Sequence, residues 1–186
     1  LDSHMGGKSG AKLKWAGFDG MIFKGASEKP VYAVVQDGTV SLVDAADLWG
    51  KSVHETVKSL QERHGEEASV MAVGPAGERG VLLANIMNEE DRAAGRGGAG
   101  AVAGSKKLKA IVILGDRKNM PKPVNEGAFR QADKAAMEAL QRVPVTKAKT
   151  GDLATYGTNV LMNLDNEVGG LPTKNAQLSM FEHADD

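Results

Sequence analysis

A run of glycines that follows two arginines constrains this chain more than any other stretch of its sequence. Arg92 and Arg96 stand at its start, and residues 91–115 read DRAAGRGGAGAVAGSKKLKAIVILG. Glycine lets the backbone approach a ligand closely and adopt positive φ angles. A helix that begins near Gly98 would add free N–H groups and the positive end of its dipole. Because the arginine fork suits phosphate, the stretch predicts an anion-binding loop.

The same glycines allow a second interpretation, in which they serve close helix packing and the arginines are simply solvated. The two arginines placed just before the glycines favour phosphate. Known nucleotide loops do not fit, because the chain has no G-x-x-x-x-G-K-[ST] sequence. Gly95, Gly97 and Gly100 give G-x-G-x-x-G, but they lack the preceding clean strand that a dinucleotide-binding fold requires.

Composition narrows the class of protein. The 186 residues are 41% hydrophobic and 25% charged, which is typical of a soluble globular protein with one domain or one and a fraction. A net charge of −1 and an aromatic content of 4% argue against a nucleic-acid binder. The sequence has no cysteine, which excludes disulfides, iron–sulfur ligation and thiolate metal sites within this chain. No apolar run reaches membrane-spanning length, so we expect no membrane partner and a cytoplasmic location.

Local patterns predict the elements of the first 120 residues. Asp37-Gly38 between two apolar runs is the strongest short-range signal for a β-hairpin. Ser52 with Glu55 three residues later forms a capping box, and Gly65 would end the helix that it opens. Further strands are expected over residues 18–24 and 69–73, and a strand or short helix over residues 81–87.

The pattern becomes helical in the last third of the chain. Pro121 and Pro123 indicate a linker. Asn125 could cap a helix that Pro144 stops, and another helix is expected over residues 152–166. We therefore predict an α+β fold, with mixed β-sheets and packed helices followed by a mainly helical segment.

Four titratable side chains are interpreted as surface groups rather than functional ones: His54, His64, Lys106 and Lys107. The two histidines have no carboxylate partner at metal-ligand spacing. The two lysines follow the short helix that the glycine run would form, where cations favour the helix dipole.

The wording of the glycine run resembles the aldehyde ferredoxin oxidoreductase family, the tungsten-pterin enzymes. R-A-A-G-R-G-G-x-G-A-V-x-G-S-K-x-L-K-A-I carries most of the likeness. G-G-x-x-G-A-x-L-K-x-A-G-[FY]-D near the start is similar to the same family, as are GPAGE, NIMN, TYGT and LPTKN further along. The resemblance extends over nearly the whole chain, from Gly6 to Gln177.

The resemblance implies a domain organisation and a chemistry. Residues 1–120 would form part of the N-terminal tungstopterin-binding domain as a pterin-binding platform, and residues 121–186 would begin the helical second domain. In the family, two pterins (molybdopterin) hold one tungsten and a magnesium ion bridges their phosphates. Aldehydes are oxidised to carboxylic acids, and electrons pass through a [4Fe–4S] cluster to ferredoxin or another acceptor. The cysteine ligands of that cluster lie outside this chain.

The resemblance also implies which residues of this chain contact the cofactor: His4, Gly6, Arg92, Ala93, Gly95 and Arg96. The arginines would bind pterin or its phosphate, and the glycines would allow close approach. Ala93 would offer its backbone carbonyl to magnesium. His4 stands where the family usually has an asparagine, whose contact is a backbone carbonyl. We predict no catalytic acid or base in this chain.

Because the resemblance covers only part of the family's protein, we expect a fragment of a longer polypeptide that is inactive alone. Its partners would be the rest of that polypeptide or other subunits of an oligomer. Two other classes of function stay open at this point. One is a non-catalytic phosphate-binding module, which the glycine loop alone would support. The other is a structural assembly module, which the weakly apolar helices after residue 121 would support.

Overall fold

The computed structural model describes residues 2–89 and 91–184. The chain divides into two compact units, residues 1–121 and residues 122–186. Each unit has its own architecture.

A mixed six-stranded sheet forms the centre of the first unit. Its strands lie in the order β2-β1-β6-β3-β4-β5. The β1–β6 pair is parallel, and the other neighbours are antiparallel. The predicted α+β class is confirmed. The strands are β1 Val31–Gln36, β2 Thr39–Asp44, β3 Ser69–Ala72, β4 Ile86–Asn88, β5 Arg92–Ala94 and β6 Leu108–Ile113.

The helices of the first unit are short apart from the second. They are α1 Ser9–Trp15, α2 Val53–His64, α3 Pro75–Glu78 and α4 Ala99–Ser105, with a 3₁₀ turn over Arg117–Asn119. The predicted capping box is present, because the Ser52 side chain accepts from the Glu55 N–H while the Glu55 side chain accepts from the Ser52 N–H. Gly65 ends α2 with a φ of 102°.

Apolar side chains cover both faces of the sheet. On one face, α2 contributes Val57 and Leu60 to a cluster that includes Val70 and Val112. The opposite face packs against α1 and α4, and Ile113 lies in that second cluster. All six residues of β6 are buried, which is why its sequence is continuously apolar apart from Lys109.

The β1–β2 hairpin has the tight turn that its sequence predicts. Gln36 pairs with Thr39, and Asp37 and Gly38 between them have φ angles of 47° and 74°. Two consecutive positive φ angles match the right-handed twist of the flanking strands, and Asp-Gly accepts them readily.

Two predicted elements are wrong. Residues 18–24 form no strand, although Phe18, Met21 and Phe23 pack against the second core cluster. The stretch over residues 81–87 is mostly a loop, and β4 begins only at Ile86. The Ala84 carbonyl accepts a hydrogen bond from Gly100 in α4, so the loop satisfies part of its backbone against that helix rather than against a strand.

The second unit is mainly helical, as predicted. Its helices are α5 Glu126–Arg142, α6 Asp152–Tyr156 and α7 Met162–Glu167, with a 3₁₀ turn over Gly157–Leu161. Asn125 caps α5 by accepting from the Ala128 N–H at 2.9 Å. Among its described residues only Gly151 is buried, so the apolar side chains of these helices stay largely exposed within this chain. No helix in the described parts of the chain is both long enough and apolar enough to cross a membrane.

His64 is half-buried rather than a surface residue. Its Nε2 lies 3.1 Å from the Tyr32 hydroxyl, and the two rings meet edge to face. Burial, followed by the nearby Arg63 charge, lowers the pKa of His64 from its ordinary value of 6.5.

This lowered pKa predicts a loss of stability on mild acidification. Below pH 6.5 the unfolded chain binds a proton at His64 that the folded chain resists, so the free energy of unfolding should fall as the pH drops from 7.5 to 5.5. Urea titrations across this range should show the fall, and His64→Gln should remove most of it. The lowered pKa values of Asp47 and Glu55 act nearer pH 4, outside this window. An unchanged pH dependence in His64→Gln would contradict the assignment.

Candidate functional site

The fold brings the start of the chain against the segment that carries the two arginines. We call residues 92–98 the arginine loop. The Arg96 N–H donates to Ser3 Oγ at 2.9 Å, a contact between residues 93 positions apart. Gly6 lies against Arg92, since a Cβ at Gly6 would stand 3.1 Å from Arg92 Cδ. Two of the predicted cofactor-contact segments therefore meet in one place.

Both guanidinium groups are exposed. The Arg92 side chain is 59% exposed and its Nε lies 3.6 Å from the Asp91 carboxylate, a loose contact in solvent. Arg96 is exposed, and within the described residues its guanidinium has no ion-pair partner. The forks of both side chains are thus available to an external anion.

The register of the sheet directs the Ala93 carbonyl to an open edge. The Glu89 N–H donates to the Val70 carbonyl at 2.7 Å, and alternate residues of an antiparallel strand bond to opposite neighbours. Asn88 therefore bonds towards β5, where it pairs with Arg92. The next residue of β5, Ala93, directs its N–H and C=O away from β4. In the sheet as described, β5 is the last strand, so no strand covers that edge.

The glycines of this stretch have three different roles. Gly97 and Gly98 have φ angles of 74° and 68°, and they turn the arginine loop into α4. Gly95 faces open space, since a Cβ there would meet no atom within 4 Å. Gly100 packs its backbone against the loop that precedes β4.

Three of the four N–H groups in the first turn of α4, which the sequence predicted to be free, already have acceptors. The Gly100 N–H donates to the Ala84 carbonyl at 3.0 Å, and the N–H groups of Ala101 and Val102 donate to the Gly98 carbonyl. The helix is only seven residues long and its first turn is largely used for packing, so little of the expected N–H donor site remains. Anion binding by the loop therefore depends on its arginines.

The backbones of α3 and α4 pack closely together, which fixes the helix that directly follows the arginine loop. A Cβ on Gly77 would lie 2.7 Å from the Gly100 carbonyl oxygen, nearer than real Cβ atoms approach. Gly104 likewise has the Gly77 backbone directly against its Cα. The packing role that the sequence left open for glycines thus holds for Gly100 and Gly104.

A buried ion pair that the sequence does not signal fixes α3 in turn. The Lys109 side chain is fully buried, and its Nζ donates to the carbonyls of Lys51 and Val73, each at 2.8 Å. It also donates to Glu78 Oε1 at 2.5 Å. The other Glu78 oxygen accepts from the Gly50 N–H at 2.8 Å. Every charge in this pair is therefore hydrogen-bonded, the condition under which a buried pair is tolerated.

Three other residues that the sequence singles out make contacts that it does not predict: His4, Lys106 and Lys107. His4 is exposed, and its ring Nε2 lies 2.8 Å from the Asp2 carboxylate, so its side chain does not meet the arginines. Lys106 and Lys107 are not simply solvated as expected. Their Nζ atoms donate to the carbonyls of Gly25 at 2.9 Å and Glu28 at 2.5 Å, which ties down the loop before β1.

The described residues contain no group of three or more His, Cys, Asp or Glu side chains that could hold a metal ion. The Ala93 carbonyl at the open edge is a backbone oxygen, a ligand type that hard cations accept.

Comparison with known proteins decides the family. A family model described as "Aldehyde ferredoxin oxidoreductase, N-terminal domain" matches residues 1–115. The chain belongs to the aldehyde ferredoxin oxidoreductase family. Tungsten-containing aldehyde ferredoxin oxidoreductases of Pyrococcus abyssi and Thermococcus kodakarensis are each 44% identical to it over 183 residues, 98% of this chain. The chain spans 29% of the length of each relative. The resemblance seen in the sequence is thus confirmed.

Similarity extends to oxidoreductases with other names. The WOR-like subunit of an aliphatic sulfonate oxidoreductase from Pyrococcus furiosus is 37% identical over 128 residues, covering 62% of this chain and 20% of that protein. Among solved structures, the active site complex BamBC of benzoyl coenzyme A reductase matches with a TM-score of 0.67 and 36% identity. The match covers 77% of this chain and 22% of the chain in that structure. Because these names differ in substrate, the shared fold does not fix which substrate this family member uses.

The Lys109–Glu78 pair generates a stability prediction. Lys109→Met should lower the free energy of unfolding by about 3–5 kcal/mol, because it leaves the Glu78 carboxylate buried without its cation. The double change with Glu78→Leu should recover much of the loss, since it removes the stranded charge. Urea denaturation of each variant measures both effects. Lys118→Met, which breaks the exposed pair with Asp116, serves as the control and should change stability little. Equal losses in Lys109→Met and the control would contradict this role.

Proposed function

We propose that this chain is the part of a tungsten-pterin aldehyde oxidoreductase that cradles the pterin cofactor. The observation that carries the proposal is the meeting of Gly6 and Ser3 with the arginine loop at one edge of the sheet. Family membership supports the cofactor class, because relatives that match 98% of this chain are named tungsten-containing enzymes.

The residues present fit such a group. Two exposed guanidinium forks, on Arg92 and Arg96, suit phosphate oxygens. The Ala93 carbonyl at the open edge suits magnesium. Gly95 leaves the space beside the loop free of any side chain, which allows a bulky ring system to approach. Gly6 and the backbone of His4 would complete the contacts.

The protein's part in the chemistry is orientation and charge. When bound, the tungsten-pterin group supplies the redox chemistry that oxidises an aldehyde to a carboxylic acid. Arg92 and Arg96 would hold the phosphate end of the group, and the Ala93 carbonyl would hold magnesium. Within the proposal, the [4Fe–4S] cluster, ferredoxin or another acceptor, and any oligomer contacts belong to other parts of the enzyme. A cytoplasmic location remains a prediction.

The domain assignment is also a proposal. We assign residues 1–120 to the tungstopterin-binding domain and residues 121–186 to the start of the helical second domain. The division of the chain into compact units at residue 121 supports this assignment. The exposed apolar side chains of α5, such as Phe129 and Leu140, would pack against polypeptide beyond this chain.

We expect the 186-residue chain alone to oxidise no aldehyde. It contains no cysteine for an electron-transfer cluster, and we assign no acid or base within it. The measurement is aldehyde-dependent reduction of a viologen dye by the purified chain, against a protein-free control. Reduction above that control would refute the proposal that this chain contributes only cofactor binding.

In the full-length enzyme, Arg92→Ala and Arg96→Ala should each weaken cofactor retention. Each lost charge-assisted contact should cost about 1.5–3 kcal/mol, because guanidinium–phosphate bonds are the strong ones. Lysine at either position should rescue only partly, since it keeps the charge but not the fork. Tungsten and pterin are counted per protein after purification, with folding checked by circular dichroism.

Arg79→Ala is the matched control for these variants. Arg79 is exposed and has no ion-pair partner among the described residues, and it lies outside the arginine loop. Lys106 and Lys107 are unsuitable controls because they tie down a loop. Full cofactor content in a folded Arg92→Ala/Arg96→Ala double variant would show that the arginine loop has only a structural role and would contradict the proposal. Bound nucleotide or another phosphate compound instead of pterin would favour the phosphate-binding module.

A further inference from the structure

We propose that Asn88 and Glu89 act as positioning residues that clamp the backbone of Gly6–Lys8 against the arginine loop. We call this pair the Asn88–Glu89 clamp. The inference rests on the proposed function, because it assigns the clamp the task of holding the Gly6 side of the cofactor cradle. Neither residue belongs to the set of predicted cofactor contacts.

Asn88 and Arg92 grip Gly6 from one face of the sheet. They are directly opposite each other in the β4–β5 pair, so their side chains emerge on the same face. Asn88 Nδ2 donates to the Gly6 carbonyl oxygen at 2.5 Å. The aliphatic part of Arg92 lies beside the Gly6 Cα. The contact that places Gly6 next to an arginine thus depends on this cross-strand pair.

Glu89 holds the chain two residues further on. Its carboxylate accepts from the Lys8 N–H at 3.3 Å and from the Ser69 hydroxyl at 3.0 Å. Glu89 has a φ of 60°, a left-handed conformation that few non-glycine residues adopt. Two consecutive residues at the end of β4 therefore bind the carbonyl of residue 6 and the N–H of residue 8.

The form of the contact indicates positioning rather than stability. Asn88 is completely buried, and its Oδ1 has no hydrogen-bond partner among the described residues. The amide cannot be turned round, because the Gly6 carbonyl only accepts and must face the NH₂ group. A buried acceptor without a partner is unfavourable, and an apolar side chain of similar size would avoid that cost.

Gly7 shows that the neighbouring backbone is shaped around Asn88. Its φ is 97°, in the region that favours glycine, and the Asn88 amide lies directly against its Cα. A side chain at residue 7 would therefore push the amide away from Gly6. The second glycine of the G-G pair thus has a structural reason within this contact, whereas a Cβ on Gly6 would meet only the flexible Arg92 side chain.

The clamp determines where the segment before α1 lies. Ser3 receives the Arg96 N–H, and His4 and Gly6 follow within the same segment. The described contacts of this segment with the arginine loop itself are the Ser3 bond and the packing of Gly6 on Arg92, and the clamp is what holds Gly6 in place for the second of them. Loosening it should therefore separate Gly6 from Arg92 while leaving the sheet intact.

The test uses the full-length enzyme with Asn88→Leu, which removes the Gly6 hydrogen bond and also the partnerless acceptor. Two readouts are taken: amide hydrogen exchange over residues 3–8, and tungsten and pterin per protein. Within residues 3–8 the described hydrogen-bonded amide is that of Lys8, which donates to Glu89. Its exchange should become roughly fivefold faster or more, because the backbone that carries it is no longer held at the Gly6 carbonyl. Cofactor content should fall, while the amides of β6 keep their protection and report an intact fold.

Glu89 supplies a conservative rescue. Glu89→Gln keeps an oxygen that can accept from Lys8 and Ser69, so it should retain the cofactor, whereas Glu89→Ala should lose it. Thr56→Val is the matched control, since Thr56 is also a fully buried polar residue but lies in α2, outside the clamp. It should change neither the exchange over residues 3–8 nor the cofactor content.

Each contrary result has a distinct meaning. Unchanged exchange over residues 3–8 in Asn88→Leu would overturn the clamp. Faster exchange with full cofactor content would overturn its positioning role. A wild-type enzyme without tungsten and pterin would overturn the proposed function and with it the cofactor role of the clamp. The exchange data would then still show whether Asn88 holds the segment.

Discussion

The register between β3, β4 and β5 is the constraint on which the candidate site depends. Because alternate residues of β4 bond to opposite neighbours, the pairing sets Asn88 opposite Arg92 and turns the Ala93 carbonyl to the open edge. A shift by one residue would exchange the faces of every side chain in β5. Arg92 would then leave Gly6, and the Ala93 carbonyl would be used within the sheet.

Two close-packed contacts hold the helices that lie beside these strands. The Lys109–Glu78 pair holds α3 against β6, and the glycine backbones of α3 and α4 allow no side chain between them. Such an arrangement has little slack, since packed interiors respond to even one added methyl group. Closely packed elements therefore lie directly behind the exposed arginine loop.

Much of the local structure could be predicted because its signals are local. Asp37-Gly38 specifies its turn through two backbone angles, and Ser52 with Glu55 caps its own helix. The strand predicted over residues 18–24 is wrong because the apolar side chains of this segment pack on the core without strand pairing. Asn88 and Lys109 could not be assigned, since their partners lie 82 and 31 residues away in sequence. The glycines next to Arg92 and Arg96 in the sequence predict an anion-binding role for these arginines. The reason for a glycine at residue 7 is visible only in the fold, where the Asn88 amide lies against it.

The exposure of the arginines limits how strongly this chain alone would bind phosphate. A guanidinium in solvent gains little from an ion pair, because water screens the charge and the side chain must be ordered. The same contact strengthens severalfold when the surroundings are dry. Arg92 is 59% exposed in this chain, so its affinity for phosphate here is modest. Under the proposed function, strong retention of the cofactor therefore requires polypeptide beyond this chain to cover the arginine loop, while the clamp holds residues 6–8 beside it.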